Sequence, residues 1–228
     1  MGQLFRHPHQ EQRHSHGKDT RSPKIYHESY LVLSELSKHI QEAVAELTGN
    51  SLRILDVGCG VKPYLPFFKY KAASYIGVDT SLAPNVDIIC VAEQLPFTDE
   101  SSDVVICTQV LEHVNDPQKV LKEMHRVLKR EGTLILSTHG IWRKHNPQDC
   151  WRWTDMGLKK ILAPFREVEV KNCGGAILCF FQILNLYISW LPIGKSPLHL
   201  ISNVLGKYLD KIYHNGSLVI NYLVVAKK

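Results

Sequence analysis

Arg53-Ile54-Leu55-Asp56-Val57 runs directly into Gly58-Cys59-Gly60, and no other stretch of the chain limits the fold so sharply. A short run of β-forming residues closed by two glycines reads as a buried strand ending in a tight turn. Without a Cβ, Gly58 and Gly60 accept positive φ and let a small molecule lie against the main chain. A second apolar run, Tyr75-Ile76-Gly77-Val78, ends in Asp79. This acid follows the last glycine by about twenty residues, the spacing of a carboxylate that accepts hydrogen bonds from a ribose. The third glycine of a dinucleotide fingerprint is missing, since Val61-Lys62-Pro63 follows Gly60. Taken alone, the glycine pattern also fits a bare strand-to-helix turn.

After Asp79, strand and helix patterns keep alternating, which argues for parallel strands with crossover helices on both faces. Helical spacing covers 30–47, with Gly49-Asn50 as its stop, and a second helix opens at Asp116-Pro117 and is ended by Gly132. Strands are expected at 53–57, 75–79, 86–90, 103–108, 133–138, 166–170 and 217–226. The fold class is α/β: a doubly wound, seven-strand, mostly parallel sheet in one domain over 25–228. A helical insertion, 176–213, lies between the last two strands. At 228 residues and 44% hydrophobic content the chain is long enough for one such core.

A net charge of +5 is mild, and the central region has no basic stripe with interleaved aromatics, so no nucleic-acid partner is expected. The six cysteines form no C-x-x-C pair, and three lie inside apolar strand-like runs. This predicts reduced thiols and a cytoplasmic setting. Residues 1–24 are polar and carry His7, His9, His14 and His16. They read as a disordered arm whose histidines bind metal only adventitiously, and no designed metal site is expected.

From Ile54 to about Gly140 the chain resembles the class I S-adenosylmethionine-dependent methyltransferases. The resemblance rests on Leu55 to Gly60, on Val78-Asp79, on Ala92-Glu93-Gln94-Leu95-Pro96-Phe97 and on Leu111-Glu112-His113-Val114. It implies S-adenosyl-L-methionine as cofactor and a Rossmann-like sheet. The cofactor would be held by Asp56, Gly58, Cys59, Gly60, Asp79, Thr80, Ala92, Glu93, Thr108 and Gln109. The turn at Ala92-Glu93 would read the adenine; many relatives place an aspartate before that alanine, where this chain has Val91. The start of the first helix, around Tyr26 and Tyr30, would close over the cofactor.

The segment 137–154 is long and aromatic for a connection and hangs on a strand end, where acceptor recognition is expected. Its H-x-P-x-D-x-W-R-W-T run, from His145 to Thr154, resembles bacterial methyltransferases found with polysaccharide and glycolipid biosynthesis. That implies a sugar hydroxyl as methyl acceptor, bound by Trp142, Asp149, Trp151 and Arg152. Asp149 and Arg152 could equally pair with each other and pin the loop. A sugar hydroxyl is a poor nucleophile, so a general base is expected, with His145, His139 and His113 as candidates. A lipidic acceptor such as a quinone, or a cofactor-binding regulatory subunit without turnover, remains open.

Residues 176–193 are almost continuously apolar, broken by Gln182, Asn185 and Ser189 on one helical stripe, and 197–213 are amphipathic. A membrane span is rejected because it would strand the last strand away from its sheet. The expectation is that the first helix packs on the sheet edge and acceptor loop. The second would offer part of its apolar face, flanked by Lys195, Lys207 and Lys211, to a membrane surface or to a second copy of the chain.

Overall fold

The structure is a computed structural model and describes residues 20–192, 194–213 and 215–228. Residues 1–19, with the histidines of the arm, lie outside the described residues. The chain runs α1 (Tyr30–Glu46), β1 (Leu52–Val57), a 3-10 turn (Leu65–Phe68), β2 (Ala72–Asp79), β3 (Ile88–Ile89), β4 (Ser102–Thr108) and α2 (Pro117–Val127). It continues through β5 (Leu128–His139), α3 (Asp155–Ile161), β6 (Arg166–Asn172), α4 (Ala176–Ile188), α5 (Ser196–Ile212) and β7 (Asn221–Lys227).

The seven strands form one sheet in the order β3-β2-β1-β4-β5-β7-β6, with β7 antiparallel to both neighbours. The order reverses between β1 and β4, so the carboxyl ends of those strands flank a crevice. Period-two alternation sends successive side chains to opposite faces. Leu55, Val57, Val105, Cys107, Leu134 and Leu136 join Val120, Leu121, Met124, Leu158 and Leu162 on the face covered by α2 and α3. Ile54, Val104, Ile106 and Ile135 join Leu36, Ile40, Val44 and Phe68 on the face covered by α1. Each layer of α/β packing is therefore written in alternate residues of the same three strands.

Several boundaries differ from the sequence expectation. The helix opened by Asp116, whose carboxylate accepts from Lys119 N at 3.0 Å, stops at Val127 rather than at Gly132. Leu128 is already extended and pairs with Ser102, so β5 begins five residues earlier than the pattern suggests. Gly132 is needed for close approach instead, because a Cβ there would come within 2.8 Å of Lys129 O. The third strand shrinks to two residues, and β7 begins at Asn221 because Ser217 is held in a turn by Asn215.

The helical insertion differs most. Neither helix packs mainly on the sheet; α4 and α5 pair with each other and lean on α1. Gln182, Asn185 and Ser189 face inward, while Phe180, Leu184, Tyr187 and Trp190 face out. The cause lies in the backbone of 25–32. Ser29 makes no side-chain cap to α1, so the orphan Val32 N–H is met by Gln182 Oε1 at 3.1 Å. Gln182 Nε2 donates to Glu28 O, and Asn203 Nδ2 donates to Ile25 O and His27 O. Buried backbone groups need partners, and the polar stripe supplies them. No helix among the described residues is long and apolar enough to cross a membrane.

Candidate active site

A cavity of about 1170 Å³ opens at the carboxyl ends of β1, β2 and β4. Of the expected cofactor residues, Gly58, Cys59, Gly60, Asp79, Thr80, Ala92, Glu93, Thr108 and Gln109 line it; Asp56 lies behind the wall. Gly58 and Gly60 both have positive φ, 71° and 49°. They serve different needs. A Cβ on Gly58 would strike Val110 at 2.1 Å, whereas one on Gly60 would meet nothing within 4 Å. Gly58 therefore lets the β4 end pack close, and Gly60 leaves open space beside exposed main chain.

Asp79 is set before any ligand arrives. Its Oδ2 accepts from Gly60 N at 3.0 Å, and its Oδ1 accepts from Ser81 N and Ser81 Oγ, both at 3.2 Å. Asp56 is buried beneath, taking the Tyr75 hydroxyl at 2.6 Å. Burial pushes its carboxyl up to about 7, against the pull of the Tyr75 hydroxyl. Open main chain at Gly60, a fixed carboxylate at Asp79 and a second acid at Glu93 fit a ligand with a hydroxyl-bearing ribose and an adenine.

The far end of the same cavity is lined by His113, His139, Trp142 and His145. Three segments build it. Gln109, at φ 57°, turns the chain out of β4 into Leu111 to Val114. The 142–154 loop then folds back onto that segment: Cys150 N and Trp151 N donate to Glu112 O, Trp151 Nε1 donates to Val114 O at 2.8 Å, and Trp153 N donates to His139 O. His145 thereby sits edge-on to both His113 and His139, with ring centroids 5.1 and 5.7 Å away, and His139 stacks on Trp142.

Asp149, Trp151 and Arg152 do not line the cavity. The Asp149 carboxylate has no exposed surface and receives the Arg152 fork at 2.5 and 2.6 Å. Arg152 also donates to Trp142 O, Arg143 O and Trp151 O, so its donors are spent on the loop. The Arg152 fork holds the Asp149 carboxyl well below the usual carboxylate range. Asp149 Oδ2 is also 3.1 Å from His145 Nδ1, and Arg143 O is 3.3 Å from the same nitrogen. Both neighbours are acceptors, so the neutral ring carries its proton on Nδ1 and leaves the Nε2 lone pair free.

His139 is different. It is buried, with Nε2 3.4 Å from Glu112 Oε1. Burial, helped by the Arg152 charge and by His145 whenever it carries a proton, pushes the ring down to about 3, so it stays neutral and is a poor proton acceptor. Glu112 is fully buried, takes the Thr138 hydroxyl at 2.8 Å, and is pushed up to about 7 by burial.

The first helix also meets the cavity, through Ser29, Val32, Leu33 and Leu36 rather than through Tyr26 or Tyr30. Tyr30 instead lies beneath Lys207 and Tyr26 beside Lys24, and neither lines the cavity. Two further features have no motif in the sequence. Lys62 passes over β2 at Gly77, where a Cβ would come within 2.3 Å of it, and bonds Asp87 at 2.5 Å. Arg126 donates to Leu95 O, Phe97 O, Asp99 and Glu123, and Glu123 accepts from Leu95 N, which fixes the segment after Glu93. Only the glycine inside an otherwise apolar strand hinted at the first, and nothing local hinted at the second.

Residues 55–136 match a methyltransferase-domain family, Methyltransf_11. The chain is 23% identical over 194 residues to the malonyl-[acyl-carrier protein] O-methyltransferase of Hamiltonella defensa, covering 75% of this chain and 74% of that one. It is 31% identical over 112 residues to a ubiquinone biosynthesis O-methyltransferase of Pseudomonas syringae pv. tomato, covering 41% of this chain and 46% of that one. That second alignment spans less than half of either protein. Among solved structures, a putative methyltransferase from Bacillus halodurans superposes with a TM-score of 0.56 at 20% identity, over 86% of this chain and 99% of that one.

Proposed function

We propose that this chain, a class I S-adenosylmethionine-dependent methyltransferase, methylates an oxygen of a sugar in a lipid-linked or cell-surface glycan. Bound S-adenosylmethionine supplies a methyl group that is already electrophilic. What the protein adds is alignment of the acceptor and a place for its proton. Asp79 and the main chain at Gly60 would hold the ribose end, and Ala92 with Glu93 the adenine end.

One observation carries the oxygen reading: the Asp149–His145 pair. With Nδ1–H directed at Asp149, His145 offers Nε2 to an acceptor hydroxyl. The hydroxyl proton passes to Nε2, and the adjacent carboxylate stabilises the imidazolium that results. An acceptor that is already ionised would need no such base. His139 is held neutral and suits a wall, with Trp142 stacked on it as aromatic surface for a sugar ring. A lipidic small molecule such as a quinone is the second reading, favoured by the apolar wall of Val32, Leu33, Leu36, Val110 and Val114.

The test is transfer of a labelled methyl group into a glycolipid extract and into a quinone precursor, with mass spectrometry of the products. His145→Ala is expected to keep cofactor affinity and lose turnover by about 10²- to 10⁴-fold. Undiminished turnover of His145→Ala on a hydroxyl acceptor would remove the base from the scheme. A methylated quinone with no methylated glycan would move the assignment to the second reading.

A further inference from the structure

The hairpin of α4 and α5 buries polar side chains and leaves many apolar ones exposed. Along α5 the buried positions are His199, Ser202, Asn203, Gly206 and Asp210, while Ile201, Val204, Leu205, Tyr208 and Ile212 face outward. Ile201 is 57% exposed, Tyr208 62% and Ile212 66%. Along α4, Gln182 and Asn185 are buried beside Leu178, Cys179 and Leu186, while Phe180, Leu184 and Tyr187, and Trp190 just past the helix end, are exposed. Inside, Asn185 Nδ2 donates to Asn203 Oδ1 at 2.7 Å, and Asp210 Oδ1 accepts from Leu178 N. The polar stripes are therefore committed to each other and to the 25–32 backbone. Both helices leave apolar side chains on their exposed sides.

Exposed apolar side chains in this number call for a partner, because large apolar patches are rare on a free monomer. Residues 1–19 hold only Met1, Leu4 and Phe5 as large apolar side chains, too few to cover them. We infer that the exposed side of this hairpin docks on an anionic lipid surface. Three features choose lipid over a second copy. Between residues 176 and 213 the one acid is Asp210, and it is buried. The exposed charges of the same stretch are Lys195, whose ammonium also donates to Ser189 O, and Lys211, whereas Lys207 is paired with Glu35 at 3.1 Å. Pairing two such hairpins would set lysine near lysine with no exposed acid to meet either, while phosphate headgroups complement both. Tyr187, Trp190, Tyr208 and Tyr213 add the amphipathic rings that favour the headgroup level. The inner side of the same α4 reaches the site, since Cys179 and Ile183 pack with Val32, Leu33 and Trp142 of the cavity wall.

The inference deepens the lipid-linked acceptor reading and rests on it for its purpose, but flotation measures it without turnover. The wild-type chain is expected to float with phosphatidylglycerol vesicles and to bind phosphatidylcholine vesicles at least about tenfold more weakly, at roughly fivefold per lysine. Ile201→Asp/Tyr208→Asp is expected to abolish flotation with unchanged cofactor affinity, and Lys195→Glu/Lys211→Glu to remove the preference for anionic lipid. Trp190 is the one tryptophan of the hairpin. Vesicles with brominated acyl chains should quench its emission, a signal lost in Trp190→Phe that needs no disruptive variant. A wild-type chain left at the bottom of the gradient with phosphatidylglycerol vesicles would overturn the inference, as would a soluble dimer that the Ile201/Tyr208 pair dissociates and that does not float. If flotation holds while glycan transfer fails, the acceptor reading falls and the docking surface stands.

Discussion

Two carboxylates show how position sets the behaviour of one functional group. Asp79 is fixed by Gly60 N and Ser81 yet still faces the cavity. Replacing it by alanine removes a charged acceptor, and each lost hydroxyl contact is worth about 1.5–3 kcal/mol, so S-adenosylmethionine should bind at least about tenfold more weakly. Calorimetry on the folded variant checks this, and an unchanged dissociation constant would contradict the ribose role. Glu112 is instead fully buried, and burial lifts it to about 7 from 4.5. A carboxyl raised on folding gives stability that is complete below about pH 4.5 and is lost as pH rises through 7. Glu112→Gln should therefore melt closer to wild type at pH 5 and gain on it by pH 8. Asp56, raised for the same reason, leaves a residual slope in both proteins. Identical pH slopes would show that Glu112 is ionised at no cost to the fold. Motif spacing in the sequence marks Asp79 and His145, and both line the cavity. The neutrality of His139 was not, because burial and the neighbouring charges come from three separate segments.

At the scale of elements, α2 acts as more than a crossover. Its apolar face, Val120, Leu121, Met124 and Val127, was written in helical spacing and is buried as that spacing requires. Its outer edge carries Arg126, which satisfies Leu95 O and Phe97 O and ties Asp99 and Glu123 into one cluster. Charge-assisted bonds of this kind give Arg126→Ala an expected cost on the order of 2–3 kcal/mol. A domain of this size would then melt about 4–12 °C lower, and cofactor affinity should fall because the segment after Glu93 loosens. A melting temperature within a degree of wild type would show that the cluster is only a solvated surface group. The ends of elements were read less well. The end of α2 and the start of β5 depend on whether Leu128 pairs with Ser102, a partner 26 positions away that no local pattern reveals.

At the scale of the whole molecule, the sheet order puts the glycine turn, Asp79 and the end of β4 around one crevice, and the loop after β5 closes its far side. Flotation and transfer assays test separate faces of this body, the outer hairpin and the cavity. By itself, the sequence determined the seven-strand α/β architecture, since period-two and helical patterns fix which residues each element can bury. It also determined that the glycine turn and Asp79 meet at one crevice, since strand, glycine turn and acid follow one another along the chain at short range. Only the tertiary structure decided that Asp149 and Arg152 serve the loop and orient His145 rather than line the cavity. It alone decided, too, which side of α4 faces inward. A mostly apolar helix with one polar stripe can turn either side to the interior. The choice fell to the unsatisfied backbone of 25–32, whose N–H and C=O groups needed Gln182 and Asn203 more than the core needed Tyr187 and Trp190.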